Sequence, residues 1–437
     1  MSDVDVVAPP SHARVAVMQT LRDNRLWLIA IALLVLLPHC PGLSSDFGRS
    51  LLSQMGIATV FALSYNLLLG QTGLLSFGHA AYFGLGGFAA IHLMRAIDAG
   101  LGVPMPLVPL AGAASGLLFG VLFGAVTTRR GGVVFALISL GIGELVFAAL
   151  RMLHGVSGGE EGITANRVVG VHLAGLTLVS QLQVYYLIVF WAVVAARLMY
   201  AFMRTPVGRM CNAVRDNPER TSFVGYDSQR IRLIVLSVAA MFAGLAGGLH
   251  AVNYEIVAAD SAGATRSGMV LLMVYIGGEA YFVGAILGAI VLTWLQVSLS
   301  DYTTAWQLYL GLLFMAIVLF APGGLASLIM IHAAIWRTRA FPAVVGSYLV
   351  AAIPALFMLI GVIVLIEINY RLSTQPESAL NMRLFGLRVD PATPWPWIAA
   401  GSLTVVGFCA LRRQRRRVSD AWSRAIDEAA RHVQARA

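Results

Sequence analysis

Apolar runs about as long as a membrane crossing, separated by short polar stretches, dominate this chain. A helix needs about 20 apolar residues to cross the hydrocarbon core of a bilayer. Runs of roughly that length lie at 26–44, 51–70, 73–94, 107–128, 131–153, 183–203, 231–254, 268–300, 306–328, 343–366 and 395–411. The pattern predicts an all-α polytopic membrane protein with about 11–12 membrane segments, some of them broken or re-entrant. The run 268–300 is too long for one crossing. YIGGEAYFVG (275–284) interrupts it with glycines and an acid, so two pieces meeting near Gly277–Glu279 fit better.

The polar stretches set the orientation. With Arg14, Arg22 and Arg25 inside, alternation puts Thr127–Arg130 inside, the acidic SGGEEG (157–162) outside and the Arg-rich 204–232 inside. If 268–300 crosses twice, or crosses once with a re-entrant piece, residues 332–340 and RRQRRR (412–417) also fall inside. Residues 367–394 then lie outside; Arg371, Arg383 and Arg388 there go against the positive-inside rule, offset by Glu367, Glu377 and Asp390. Arg22 and Arg25 before the first run resemble a signal peptide, but PHCPG is a poor cleavage site and no lipobox. The expectation is a retained first span, preceded by a helix over 11–24 lying on the membrane. Four regions result: a cytoplasmic segment 1–25, a transmembrane domain 26–330 with a cytoplasmic loop 204–230, further spans within 331–411, and a cytoplasmic basic tail 412–437.

Composition agrees with a lipid setting. Hydrophobic residues make up 58% and charged residues 12%, against roughly 25% charged in soluble domains. The net charge of +9 raises the question of nucleic acid, but the basic residues, all Arg, gather in loops and the tail as cytoplasmic loops do. No nucleic-acid partner is expected. Cys40, Cys211 and Cys409 lie too far apart for a disulfide framework or zinc spacing, so neither metal nor cofactor is expected. Without any Lys the chain has no phosphate-binding GxxxxGK[ST], so it carries no ATPase of its own.

GQTGLLSFGHAAYFGLGGFAA (70–90) is rich in glycine, which costs about 1 kcal/mol per residue relative to Ala in a helix interior. AYFGLGG (81–87) is echoed by AYFVGAILG (280–288) in the other half of the chain. Paired Gly-interrupted segments point to broken helices around a substrate path; close helix packing is the other reading, since small residues let membrane helices approach. Candidate path residues are Tyr65, Asn66, Ser76, His79, Tyr82, Phe83, Glu144 and Glu279. Glu144, expensive in lipid, is expected to pair with Arg151 or Arg197 or to line a cavity. Glu279 is expected to cap a half-helix or to face the path.

Residues 204–232 repeat one grammar. Thr205–Pro206 and Asn217–Pro218 each place a capping residue before a Pro at the first helical position, and Gly225 offers a stop. Two short helices are expected, presenting Arg209, Arg215, Glu219 and Arg220. A plain chain reversal needs only a few residues, so this loop reads as a docking surface.

YNLLLGQTGLLSFGHAAYFGLGGFAA (65–90), ISLGIGELVFAAL (138–150) with VSGGEEGI (156–163), TPVGRMCNAVRDNPERTSFVGYD…AAMFAGLAGGLHA (205–251) and LYLGLLFMAIVLFAPGGLASL (308–328) together resemble the branched-chain amino acid (Liv-type) ABC transporter permeases, in particular the M-type subunit. The resemblance implies that 204–230 couples to an ATPase through Gly208, Arg209, Ala213, Arg215, Asp216, Asn217, Glu219, Arg220 and Gly225. It also implies the partners: a second Liv-type permease subunit, two ATP-binding subunits and an extracytoplasmic solute-binding protein. The setting it implies is a bacterial inner membrane, with both termini cytoplasmic. The chain departs from the family at Met210–Asn212 and Pro218, carries Glu279-Ala280-Tyr281-Phe282 where relatives have GTLxGP, and continues past APGGL (321–325). The implied function is a permease subunit, not an enzyme, for branched-chain amino acids or related small polar solutes. The alternative is a secondary transporter using Glu144 and His79 as a proton pair.

Overall fold

Ser45 accepts a hydrogen bond from the Gly48 N–H and so starts the first long helix, α2 (Asp46–Thr72), behind a shorter α1 (Asn24–Leu36). The structure, a computed structural model, describes residues 24–170, 177–336, 341–374, 382–384, 387–391 and 393–434. The expected surface helix at 11–24, apart from its last residue, lies outside the described residues, as do Arg14, Arg22 and Glu377. There follow α3 (His79–Asp98), α4 (Val108–Thr127), α5 (Gly132–Met152), α6 (Gln181–Arg204), α7 (Pro206–Asp216), α8 (Pro218–Phe223), α9 (Ser228–Tyr254), α10 (Ala264–Gly277), α11 (Phe282–Tyr302), α12 (Trp306–Phe320), α13 (Gly324–Ile335), α14 (Phe341–Thr374) and α15 (Pro394–Gln434). Strand structure among the described residues is slight: β1 (Ile163–Thr164) pairs antiparallel with β2 (Ile256–Val257), and β3 (Met382–Leu384) with β4 (Leu387–Val389).

Among the described residues, nine helices are long and apolar enough to cross a membrane, and α12 and α13 form a further pair bent by 50°. Two shorter apolar helices, Trp27–His39 and Ala264–Gly277, complete the set. The protein is an all-α polytopic membrane protein. The long run 268–300 divides where its glycines fall, with α10 ending at Gly277 and α11 beginning at Phe282.

Three element boundaries differ from the hydropathy pattern, each for a local reason. The first helix ends at Leu36, with a 3-10 turn at Leu37–His39, because Pro38 disfavours the helical conformation in the residue before it. Between α2 and α3 the chain is non-helical from residue 73 to 78, since Gly73 turns left-handed at φ +66°. The last helix continues from Pro394 to Gln434, so the basic tail prolongs the final span as helix.

Contact clustering divides the chain into Met1–Tyr302 with Tyr309–Leu328, and Thr303–Leu308 with Ile329–Ala437. In the first unit α9 is central. On α4, Gly112, Gly116, Gly120 and Gly124 recur every fourth residue, all buried, and form one bare face. That face meets Ser237, Ala240 and Gly244 of α9, while α3 meets α9 from another side through Gly86 against Gly244 and Phe83 against Gly247. A methyl group at Gly247 would overlap the backbone carbonyl of Phe83. At α9's C-terminal end, Glu255 turns left-handed at φ +58°, and its carboxylate accepts the Arg167 N–H at 2.8 Å. Arg167 donates in turn to the Asn253 carbonyl at 2.9 Å, and Arg95 to the Thr164 carbonyl at 2.9 Å, which ties the segment between α5 and α6 to the bundle.

In the second unit α14 and α15 pack through Gly361 against Thr404 and Gly407 against Pro354 and Met358. Val344 and Ala425, with Ile331, Trp422 and Ile426, form a small apolar cluster. Glu367 is buried and lies 3.5 Å from Arg371.

The packing seam makes a first test. Gly247→Ala forces backbone apart and is expected to destabilise the protein by about 1–3 kcal/mol, as overpacking does. Gly141, in α5, has nothing within 4 Å of an added methyl. Gly141→Ala is therefore expected to be neutral or to stabilise by up to about 1 kcal/mol through helix propensity. Thermal unfolding of the two variants in detergent checks the contrast.

Candidate coupling and translocation site

Each helix break is closed by side chains from elsewhere in the bundle. Where α3 begins, the Ala80 N–H is accepted by Ser267 Oγ at 3.0 Å and the Phe77 N–H by Ser139 Oγ at 3.1 Å. Tyr65 donates its hydroxyl to the Ser76 carbonyl at 2.9 Å. These groups have no water to turn to in lipid, so the bonds are obligatory. His79, fully buried, sits in a box of Phe61, Tyr65 and Tyr82, with ring centroids 5.6, 5.2 and 5.8 Å away. Ser64 spends its hydroxyl proton on the Phe61 carbonyl at 2.7 Å, so at 3.0 Å it accepts from His79 Nε2–H.

Tyr65, Asn66, Ser76, His79, Tyr82 and Phe83 are all buried inside this subunit. Tyr65, Ser76, His79, Tyr82 and Phe83 gather around the start of α3, whereas Asn66 reaches Glu279 at the other break. Glu144 is not with them: it is exposed on α5. The partners expected for it are engaged elsewhere, Arg151 with Glu160 and Arg197 over the Trp27 ring.

On the other side of the membrane from Glu255, α7 and α8 fold as the Pro-capped grammar requires. Thr205 Oγ1 accepts the Gly208 N–H at 3.2 Å, Asn217 Oδ1 accepts the Arg220 N–H at 2.9 Å, and Gly225 turns at φ +92°. One face of α7 is apolar: Cys211 and Val214 pack on Ile231 and Val235 of α9. Burial pushes the Cys211 thiol up to about 12, so it stays a neutral packing group. Gly208 belongs to this buried side, where a methyl would strike the backbone of Phe202 and Met203. Arg209, Asp216, Glu219, Arg220 and Gly225 face outward, with Ala213 and Asn217 half-buried.

Arg215 is exposed as well, yet its side chain also reaches back to the bundle. Its Nη1 donates to the Gly70 carbonyl at the end of α2, its stem covers Gly73, and its Nη2 lies 3.7 Å from Glu279 Oε1 in the break between α10 and α11. Asn66 Nδ2 donates to the Glu279 carbonyl at 2.7 Å. The two helix breaks thus converge on one loop side chain.

Residues 49–322 match the family described as branched-chain amino acid transport system / permease component. The chain belongs to that permease family. The permease is 26% identical over 332 residues to the high-affinity branched-chain amino acid transport system permease protein LivM of Escherichia coli, which covers 68% of this chain and 74% of the relative. It is 23% identical to the probable branched-chain amino acid transport permease protein LivM of Methanocaldococcus jannaschii, covering 65% and 94%, and 23% identical to BraD of Pseudomonas aeruginosa, covering 53% and 78%. No solved structure matches the chain. This is therefore a multi-pass membrane permease component of an ABC-type importer.

The motif reading passed over Phe223 and Val224. They stand 88% and 74% exposed between α8 and α9, next to half-exposed Tyr226. A Phe-Val pair directly before a helix-ending glycine, on a loop outside the membrane, was the available signal.

If the aromatic box is a brace, His79→Ala costs about 3 kcal/mol, as aromatic truncations in cores do. Ser64→Ala costs about 1–3 kcal/mol by leaving His79 Nε2–H without an acceptor. Thermal unfolding reads both losses, and the substrate ranking of surviving transport is expected not to change.

Proposed function

We propose that the permease pairs with a second Liv-type permease subunit in a bacterial inner membrane, with both termini cytoplasmic, and imports branched-chain amino acids or similar small zwitterions. Two ATP-binding subunits drive it, and an extracytoplasmic binding protein delivers the solute. Residues 26–330 form the transporting domain, and the helices within 331–411 and the basic segment 412–437 are peripheral to the path. The relatives' names support the substrate class. The exposed Phe223–Val224 tip carries the coupling role. Two large apolar side chains in solvent are a liability until covered, and an aromatic anchor rimmed by charge suits a protein interface.

The mechanism follows from what Arg215 holds. ATP binding draws the docking loops of the two permease subunits together. Through α7 that motion reaches Arg215, whose contacts are the end of α2 and the break before α11. Breaks are the compliant points of a packed bundle, so a displaced Arg215 moves α2 and α11 against the fixed α9 seam. No bond in the solute is made or broken. The permease supplies a path and a gate, while selection begins at the binding protein. Exposed Glu144 on α5 belongs to the path side, since an intramembrane carboxylate faces water or protein, not lipid.

Two variants separate docking from coupling. Phe223→Ser/Val224→Ser is expected to lose the co-purifying ATPase subunits by at least tenfold. Arg215→Gln is expected to keep them but to hydrolyse ATP without solute uptake in proteoliposomes. Wild-type uptake per ATP in Arg215→Gln would refute the coupling route.

A further inference from the structure

Between α3, α9 and α10 lies a cluster that the coupling route does not use. Arg266, in the first turn of α10, places its guanidinium 4.7 Å from the centroid of the Phe83 ring. Its Nη2 lies 3.4 Å from His250 Nε2. The His250 ring is 5.4 Å from Phe83 and 4.5 Å from Tyr254. No carboxylate among the described residues comes within ion-pair distance of Arg266.

The hydrogen-bond inventory of this cluster is one-sided. A guanidinium offers five N–H donors and no acceptor. Once Nη2–H donates to His250 Nε2, the remaining His250 proton sits on Nδ1, and that atom is buried with no partner. The first turn of α10 adds backbone N–H groups, and its cap residue, Gly263, has no side chain to satisfy them. Donors outnumber acceptors at the spot, where the Tyr254 hydroxyl neighbours the guanidinium but, among the described residues, no anion does. A cation within a membrane bundle is retained where it meets an anion or lines a path. His250 is one helical turn from the outer end of α9 at Tyr254, so the cluster lies toward the side from which solute enters. Ala264 and Thr265 beside it are exposed and Arg266 is half-buried along its length, with its charged end enclosed by the cluster, so a solute reaches the guanidinium only as the packing around α10 opens.

We infer that Arg266, oriented by Phe83 and His250, receives the carboxylate of the transported solute in the outer half of the permease. The chemistry is fork-to-fork pairing of guanidinium with carboxylate, with the first-turn N–H groups of α10 as secondary donors. This rests on the importer reading above and deepens it by naming the side chain that recognises the carboxylate those solutes carry.

The test uses leucine, 4-methylpentanoate, which lacks the ammonium, and leucinamide, which lacks the carboxylate. Thermal unfolding of the wild-type permease pair in detergent is expected to rise with leucine and not with leucinamide. A rise with 4-methylpentanoate equal to that with leucine marks a simple carboxylate as sufficient; a smaller one adds an ammonium contact elsewhere and leaves Arg266 its role. In proteoliposomes of the whole importer, Arg266→Gln is expected to cut leucine uptake at least tenfold, and Arg266→Lys to restore most of it. Equal stabilisation by leucinamide, or leucine uptake undiminished in Arg266→Gln, would overturn the inference while leaving the importer reading intact. If the wild-type importer moves only carboxylate-free solutes, both fall. Should Arg266→Gln fail to assemble, the wild-type ligand series decides alone.

Discussion

A backbone group inside a bilayer cannot exchange its hydrogen bond for one to water, and this permits a helix to break only where the protein supplies replacement partners. Among the described residues, two of the permease's helix breaks, at residues 73–78 and 278–281, lie beside α7. Ser139 and Ser267 supply acceptors for the first break, and Tyr65 donates to it. Asn66 serves the second. Arg215 serves both, reaching Gly70 and Glu279 from a loop outside the membrane. The bonds that make the breaks tolerable are therefore the bonds through which the docking loop holds them.

Movement at those breaks is useful only if something else stays fixed. The glycine face of α4 and its counterparts on α3 and α9 bring backbones so close that a single methyl group has no room. Packing at that density transmits force without absorbing it. The glycines of AYFGLGG belong to this fixed part: Gly84, Gly86 and Gly87 meet Ala262, Gly244 and Gly247. Those of AYFVGAILG do the same for α11, where Gly284 and Gly288 close on Gly277 and Met273. In each half, a packed glycine helix starts directly after a break, so the two readings of the glycine-rich stretch apply to adjacent residues.

Spans and the two short helices α7 and α8 could be read from the sequence because their causes are local. Twenty apolar residues cross a membrane wherever they sit, and Thr-Pro or Asn-Pro starts a helix through its own side chain. The partner of Glu279 could not be read, because Arg215 is distant in sequence and meets it only after α7 docks on α9. The aromatic and polar residues around His79 are recognisable as a group; that Phe61, Tyr65 and Tyr82 wall the His79 ring is a matter of tertiary packing. The four-residue spacing of Gly112, Gly116, Gly120 and Gly124 was visible, yet it is hard to pick out among 44 glycines. Arg266 was passed over because a lone Arg at the edge of an apolar run looks like a marker of topology.

A receptor group on a translocation path must be stable when empty and must release what it binds. A bare guanidinium in a membrane fails the first requirement, and a guanidinium locked to a protein carboxylate fails the purpose, since solute would have to displace a permanent partner. Arg266 lies over the Phe83 ring, a contact worth about 0.5–2 kcal/mol according to desolvation. That is enough to hold the side chain in place and less than a desolvated charged hydrogen-bonded pair contributes. Phe83 also belongs to the α3–α9 seam, through its carbonyl against Gly247. The ring that steadies the empty receptor is thus anchored in the rigid part of the bundle, whereas Arg266 rides on α10, whose far end is the break at Gly278. A shift of that break would carry the guanidinium relative to the ring, so the motion that opens the inner gate would also alter the grip on the solute.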